Sequence, residues 1–237
     1  YNEKIDAIVN NMAKIIEAMK TGNKDKEKGW DEIIKLLEQL KAAAGVNEDV
    51  EYVDLGLPSG NLWAKCNLGA SAPEQYGDYY AWGETWTKTT GKYYYFTDIV
   101  EGQYTKYDSR DKRFFLEKED DVAYLRLGEG WRYPTWNEMQ ELIDNCTVTE
   151  STLNGWPGVM FVSKINNNYI FFGYRTKGST GGLRWTSAVV ESNPTLAKCL
   201  SFERNDKTNK IDVSRYDNGR KYQNPVRPVY VKRWAKE

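Results

Sequence analysis

Residues 51–85 constrain the fold of this chain more than any other segment. They are rich in Gly, Trp and Tyr, and turn residues interrupt every apolar run, so no long helix can be drawn through them. Aromatic residues interspersed with Gly and Asp are typical of a loop-rich β domain whose rings pack together. Residues 52–55 and 62–66 are predicted to be strands, joined by a turn at Pro58 and Gly60.

The first 48 residues have a different pattern. Apolar residues recur there in two series at steps of three and four, the spacing of one helix face. A polar stretch between Gly22 and Gly29 predicts a break between them. We therefore predict a helical hairpin or coiled-coil segment over residues 1–48, which packs on itself, on the following domain or, through residues 5–44, on other copies of the chain. The series are Ile5, Ile8, Met12, Ile15 and Met19, and Trp30, Ile33, Leu37, Leu40 and Ala44.

Residues 45–49 predict a short linker, so a second domain is expected over residues 49–237. A capping box at Thr135 and Glu138 predicts a helix. Shorter helices are predicted over residues 71–77 and 120–128. From residue 159 onward the apolar period is two, which predicts several strands, the last over residues 226–231. The expected fold is α+β, with a mostly antiparallel sheet and one or two helices.

Composition argues against catalysis and against several kinds of partner. The chain has no histidine, which removes the commonest general base and metal ligand. Its 33 basic residues balance 34 acidic ones, so no excess charge favours nucleic acid. No apolar stretch is long enough to cross a membrane. We expect a protein that is not an enzyme and uses no cofactor.

The three cysteines, Cys66, Cys146 and Cys199, are odd in number and lack zinc-ligand spacing. Burial as small apolar residues is the simplest interpretation. One disulfide would suit an extracellular protein, but the sequence cannot choose the pair. Alternation in the strand around Cys199 predicts that it faces away from Leu200.

Several motifs, in the same order, resemble one protein family. They are VDLGLPSGNLWAKCNLGA, YGDYYAWGET, EDDVAYLRLGEGWRYPTWNEMQELIDNC, RWTSA and NPVRPVY. Together they span residues 51–231 and resemble the Fibrobacter succinogenes major paralogous domain of Bacteroidetes-type secreted and surface proteins. The resemblance implies a C-type-lectin-like fold, related to the formylglycine-generating enzyme, in which a less regular half carries the ligand surface. Tyr124 stands where many members have histidine, and Cys199 lacks the partner thiol that copper chemistry would need.

The late part of the domain holds the predicted binding surface. Residues 184–222 alternate apolar residues with Tyr, Asn, Ser, Asp and basic residues, a composition typical of adaptable binding surfaces. The alternative is a polar loop between two strands. The candidate ligand-binding residues are Trp185, Glu203, Arg204, Asn205, Arg215, Tyr216, Asn218, Arg220 and Tyr222.

No metal site is predicted, although the carboxylates of Asp120 and Asp121 could bind Ca²⁺ as hard oxygen ligands. The alternative is that they begin a helix, where negative charge is favourable.

These observations predict a non-catalytic extracellular binding module that recognises a protein or a carbohydrate at the cell surface. We expect it to be secreted or held at the outer surface, as a lipoprotein if a segment outside this chain supplies the anchor. The alternative is a structural component of a surface assembly that oligomerises through the N-terminal helices. A hydrolase or an oxidoreductase has no supporting motif.

Overall fold

The computed structural model describes residues 2–43, 50–85, 99–100 and 103–232. Its first feature is a helical hairpin, as predicted, formed by α1 (Asn2–Lys20) and α2 (Lys26–Ala43). The chain reverses between them, where Gly22 has a φ of 75°, which glycine adopts without strain. The predicted linker and domain boundary at residues 45–49 lie outside the described residues.

The buried face of the hairpin differs from the predicted one in α2. Met19 and Ile33 are buried, but Trp30 is 56% exposed and Leu37 is 41% exposed. Trp30 and Leu37 are therefore not buried within this chain, and of the predicted partners of this stripe only other copies of the chain remain. Gly29 lies against Met19 instead, because a glycine lets the two helices approach closely and a Cβ there would collide with the Met19 sulfur.

The remaining described residues form mainly short and long strands, with two further helices. The helices are α3 (Val122–Leu127) and α4 (Trp136–Asn145), and a 3₁₀ turn covers Lys118–Asp120. The early strands are β1 (Tyr52–Val53), β2 (Leu62–Ala64), β3 (Tyr79–Ala81), β4 (Ile99–Val100), β5 (Gln103–Tyr104) and β6 (Trp131–Arg132). The late strands are β7 (Cys146–Leu153), β8 (Trp156–Ser163), β9 (Tyr169–Gly173), β10 (Gly181–Val190), β11 (Asn193–Asn205), β12 (Lys210–Gly219), β13 (Gln223–Pro225) and β14 (Val229–Tyr230).

Every strand pairing among the described residues is antiparallel, so the predicted sheet type is confirmed. One sheet has the order β1-β2-β14-β6, and two others have the orders β7-β8-β9 and β10-β11-β12. Two ribbons, β3-β13 and β4-β5, complete the set. Because β14 pairs with β2, with Val229 opposite Trp63, the end of this region is held against its beginning.

Local side chains start the two later helices, as predicted, and the predicted glycine ends α3. The Thr135 hydroxyl accepts a hydrogen bond from the Glu138 N–H, and the Glu138 carboxylate accepts one from the Thr135 N–H at 2.7 Å. Asp121 caps the start of α3, and Gly128 ends it with a φ of 85°. These bonds satisfy backbone groups that a helix end leaves open. None of the described helices is long and apolar enough to cross a membrane.

Residues 71–77 form turns, so the short helix predicted there is wrong. The Asn67 side chain donates to the carbonyls of Gln75 and Tyr76, at 3.4 and 2.9 Å. Gly77 adopts a φ of 73°. These two carbonyls lie at the end of the segment, and within it the Gln75 N–H donates to the Ala72 carbonyl at 3.1 Å, so a single turn forms in place of a helix.

Of the strand predicted over residues 226–231, only β14 (Val229–Tyr230) forms, and β13 ends at Pro225, before the predicted strand begins. Arg227 lies between them and is fully buried. Its guanidinium donates to the carbonyls of Lys65 and Phe171, at 3.0 and 2.8 Å, and to the Asn67 side chain at 2.8 Å. Residues 226–228 form no strand, and the inward Arg227 side chain there joins the segment after β2 to β9.

The region has two apolar cores, and β11 contributes to both. Cys199 packs in one core with Trp185, and Leu200 packs in the other with Phe202. The predicted opposite facing of Cys199 and Leu200 is therefore confirmed. The three thiols are free: Cys146 and Cys199 are buried, and Cys66 is half-buried.

Candidate binding surface

The predicted surface involves the sheet β10-β11-β12, in which β12 is an edge strand. Opposite residues of an antiparallel pair project from the same face. Glu203 lies opposite Asp212, and Cys199 lies opposite Tyr216, with Ser214 between them along β12. Glu203, Asp212, Ser214 and Tyr216 are all exposed. These four side chains form a row, which we call the polar face.

Tyr216 is the largest side chain of the polar face. It is 51% exposed, although its cross-strand neighbour Cys199 is fully buried. The ring therefore stands at the border between core and solvent. Asn205 supports the other end of the row, because its amide donates to the Asp212 carboxylate at 2.8 Å and accepts from the Lys207 N–H at 3.1 Å.

Arg204 and Arg215 project from the opposite face of the sheet, because each is one residue out of phase with the polar face. Arg204 lies 3.6 Å from Glu150 and 3.3 Å from Asp206. Arg215 lies 3.1 Å from Asp217. Because these ion pairs are partly exposed, they add little stability. The structure therefore divides the predicted binding residues between the two faces of the sheet.

Trp185, Asn218 and Arg220 are buried and lie beneath the surface, which corrects the predicted set. The Trp185 indole N–H donates to the Tyr80 carbonyl at 2.7 Å. Arg220 donates to the Tyr107 carbonyl at 3.1 Å. Both side chains thus donate hydrogen bonds to backbone carbonyls that are far away in sequence. No local sequence pattern predicts these partners.

Tyr222 is a second exposed ring, 44% accessible, just after β12. Its N–H donates to the Gly219 carbonyl at 2.9 Å, which makes a tight turn. The ring lies over Gly219, and the Lys221 ammonium lies 5.4 Å from the ring centre. Tyr222 therefore remains a candidate contact residue at the end of the strand that carries the polar face.

The two aspartates considered for metal binding have different surroundings. Asp121 accepts hydrogen bonds from the N–H groups of Ala123, Tyr124 and Tyr133, at 2.9, 3.1 and 2.9 Å. Burial raises the pKa of the Asp121 carboxyl to about 6, although these three donors favour the ionised form. Its oxygens are engaged in positioning α3 and the following loop.

Asp120 is the centre of a second group, the Asp120 cluster, which also contains Lys35, Lys106 and Tyr107. Lys35 of α2 lies 2.8 Å from one carboxylate oxygen, and Lys106 and the Tyr107 hydroxyl lie 2.5 and 2.7 Å from the other. Burial opposes ionisation of Asp120, but the two ammonium groups and the hydroxyl outweigh it and lower its pKa. The cluster joins the hairpin to the β-rich region.

Among the described residues, Glu117, Glu119 and Asp120 are the carboxylates close enough to share a metal ion, with oxygens within 4.8 Å of one another. The Lys106 ammonium lies 3.0, 3.1 and 2.5 Å from these three groups. Burial lowers the pKa of Lys106, but its hydrogen bonds to Asp120 and Glu117 outweigh this and raise it. One ammonium group therefore lies between these three carboxylates, where a metal ion would have to bind, and we interpret the cluster as structural.

Sequence reasoning missed two kinds of residue. Asp212 and Ser214 were left out, although positions two and four residues before Tyr216 in a strand share its face. Lys35 and Lys106 were also left out, and no sequence signal could have found them. They lie 85 and 14 residues from Asp120, and only the fold brings them together.

A comparison of the chain with protein-family models, with curated proteins and with solved structures finds no match. The resemblance to the paralogous domain therefore stays a prediction. The function has to be inferred from the geometry of the polar face and its surroundings.

Proposed function

We propose that this protein is a non-catalytic binding module that recognises an extracellular protein or glycan through the polar face. The observation that carries this proposal is the position of Tyr216, which is 51% exposed on a strand backed by a packed core. A protruding ring flanked by the hydroxyl of Ser214 and the carboxylate of Asp212 offers apolar contact and directional hydrogen bonds together.

The strands beneath Tyr216 support a rigid surface. Tyr216, Cys199 and Trp185 lie side by side across β12, β11 and β10. Cys199 and Trp185 are fully buried, so the row continues from solvent directly into the core. A surface that is rigid before binding loses little conformational entropy when the ligand arrives.

In this proposal the domain has a C-type-lectin-like fold, and the protein is secreted or held at the outer surface of a Bacteroidetes-type cell. A lipid anchor would have to come from a segment outside this chain. The motifs over residues 51–231 that resemble the paralogous domain support this location. Binding of this kind needs no cofactor and no nucleic acid.

The test screens the full chain on arrays of glycans and extracellular proteins, with Tyr216→Ala as the test variant and Tyr52→Ala as its control. Tyr52 is 58% exposed on β1, so both substitutions remove an exposed tyrosine ring. A loss of affinity of about tenfold or more in Tyr216→Ala alone would support the polar face. Absence of binding by the wild-type chain, or equal losses of affinity in both variants, would contradict the proposal.

Assembly through the hairpin is a second candidate function, favoured by its exposed apolar residues. Val9 and Ile16 of α1 are 48% and 36% exposed, and Trp30 and Leu37 of α2 are 56% and 41% exposed. Each pair is seven residues apart and therefore shares one face of its helix. Sedimentation of the wild type and of a Trp30→Ser/Leu37→Ser variant decides this point. An oligomer that the variant loses would support assembly, and a monomeric wild type would contradict it.

A further inference from the structure

A groove lies between the strands β1 and β2 on one side and β9 on the other. One part, of about 330 Å³, is lined by Val53, Lys65, Pro73 and residues 167–171. A second part, of about 290 Å³, is lined mainly by residues 64–73 and shares Lys65 and Pro73 with the first. The two parts adjoin, and we call them together the Lys65 groove. Each is near the lower end of the volumes of ligand sites, about 300–1,000 Å³.

Backbone carbonyls around the groove are already hydrogen-bonded. The Asp54 carbonyl accepts from the side chains of Asn166 and Asn168, at 2.9 and 2.8 Å. The Phe171 carbonyl accepts from Arg227 at 2.8 Å. A peptide that added to this edge as a strand would need free backbone groups. The groove is therefore poorly suited to strand addition, and recognition has to come from side chains.

Two side chains that line the groove are available to a ligand. Tyr169 is 46% exposed, and neither its hydroxyl nor the Asn167 amide hydrogen-bonds to any residue that the structure describes. Asn167 has a φ of 63°, and its N–H donates to the Ser163 carbonyl at 3.1 Å, which holds the turn. Both groups therefore sit on an ordered turn before any ligand arrives, and this lowers the entropy cost of binding.

The ionic groups of the groove neutralise each other. Lys65 lines both parts, and its ammonium lies 2.5 Å from the carboxylate of Glu51, which lines the second part. The other lining side chains are amides, a phenol, a hydroxyl, a thiol and apolar groups. Such a lining gives no electrostatic preference for a phosphate, sulfate or carboxylate ligand. It still offers hydrogen-bond donors and acceptors for hydroxyl groups.

We infer that the Lys65 groove binds a neutral saccharide. A sugar ring has apolar C–H faces that can pack on an aromatic ring, and hydroxyl groups around its rim that need donors and acceptors. Tyr169 supplies the ring, the Asn167 amide both donates and accepts, and Glu51 accepts. Two adjoining parts suit linked sugar units. This site is separate from the polar face and extends the proposed binding function to a second surface.

The experiment titrates the full chain with soluble cello-, xylo-, malto- and manno-oligosaccharides and follows binding by calorimetry and by NMR. Tyr169→Ala removes the ring, and Asn167→Gly removes the amide without backbone strain, because glycine tolerates a φ of 63°. Phe115→Ala, which removes an exposed aromatic ring that does not line the groove, is the control. We expect at least one oligosaccharide to bind the wild type. Its affinity should fall about tenfold or more in Tyr169→Ala, fall less in Asn167→Gly and stay unchanged in Phe115→Ala.

Thermal unfolding of each variant shows whether it is folded, and since Tyr169 and Asn167 are exposed we expect little change. Two results would overturn the inference: none of these oligosaccharides binds the wild type, or Tyr169→Ala binds as the wild type does. Tyr216→Ala is titrated as well, and sugar binding that fails only in that variant would place the site on the polar face and remove the groove.

Discussion

The helical hairpin and the β-rich region are held together in different ways. In the β-rich region, buried polar side chains bind the backbone of distant segments, as Arg227 does between the chain after β2 and β9. In the hairpin, Met19 and Ile33 are buried while Trp30 remains exposed. The hairpin meets the rest through α2 against α3 and through the pair of Lys35 with Asp120. We therefore predict that single substitutions at buried polar side chains lower the free energy of unfolding more in the β-rich region than substitutions in the hairpin do.

The buried arginines explain this difference. Arg184, Arg220 and Arg227 are fully buried. Arg184 and Arg227 both lie on the Phe172 ring, at 5.1 and 4.7 Å from its centre. Burial lowers the pKa of both guanidinium groups. Each donates two or more hydrogen bonds to backbone carbonyls that are buried or partly buried, so removal of one leaves more than one acceptor without this donor.

The largest expected effect is that of Arg227→Met. It should lower the free energy of unfolding by about 3 kcal/mol or more, because each carbonyl left without a donor costs about 1–3 kcal/mol. The measurement is urea unfolding followed by tryptophan fluorescence. Arg215→Met is the control, since Arg215 is exposed and pairs only with Asp217 among the described residues, and it should change stability by about 0.5 kcal/mol or less. Equal losses of stability in Arg227→Met and Arg215→Met would contradict the prediction that a buried arginine contributes more to stability than an exposed one.

The second prediction concerns pH and the neighbours Asp120 and Asp121. The pKa of Asp121 is raised from 3.8 to about 6, so its stabilising contribution is full below about pH 4 and is lost as the pH rises to about 6. The pKa of Asp120 is lowered from 3.8, so its contribution is present above about pH 4 and is lost as the pH falls.

Urea unfolding at about pH 3 and about pH 7 tests both signs with Asp120→Asn and Asp121→Asn. The stability lost in Asp121→Asn should be greater at the lower pH, by about 3 kcal/mol at most. The stability lost in Asp120→Asn should be greater at the higher pH. Changes of the same sign in both variants would show that one of the two environments is assigned wrongly.

The third prediction concerns the attachment of the hairpin. Lys35→Met should cost about 1–2 kcal/mol, because Asp120 keeps Lys106 and Tyr107 but loses one charged partner. Hydrogen exchange should rise in α2 and stay unchanged in β10–β12. Lys20→Met, at the exposed end of α1, serves as the control and should change neither. Uniform loss of protection along the chain would mean that the hairpin and the β-rich region unfold as one unit.

The smallest effect is expected for Trp30→Ala. Trp30 is 56% exposed, so its removal should change the stability of the single chain by about 0.5 kcal/mol or less. Ile33→Val, one methyl group smaller at a site that is 4% exposed, should cost about 0.5–1.5 kcal/mol. Thermal unfolding at low protein concentration compares them. A larger cost for Trp30→Ala would place this ring in an interface between copies.

Local features of the fold could be predicted from the sequence because their partners are close in the chain. Thr135 and Glu138 are three residues apart, and their mutual capping bonds start α4 as expected. The alternation around Cys199 and Leu200 placed them on opposite faces of β11. The short helix predicted at residues 71–77 does not form: the segment makes a single turn, and the Asn67 side chain, from outside it, holds its end.

The candidate surface could be located only in part. Residues 203–216 do carry an exposed row, but the sequence could not show that Trp185 and Arg220 lie beneath it. From the sequence, an arginine is predicted to be exposed unless its hydrogen-bond acceptors are known. The acceptors of Arg220 include the Tyr107 carbonyl, 113 residues away. The Lys65 groove could likewise not be predicted from the sequence, since it exists only where β9 lies beside β1 and β2.

The sequence by itself determined the helical hairpin, the antiparallel strands, the helix caps and the opposite facing of Cys199 and Leu200 in β11. These depend on the period of apolar residues and on hydrogen bonds between residues a few positions apart. Tertiary structure alone decided which arginines are buried, that Lys106 meets three carboxylates, and that a groove opens between two sheets. Those outcomes depend on contacts between segments that are distant in the chain. The free energy of such contacts cannot be estimated from any local sequence pattern.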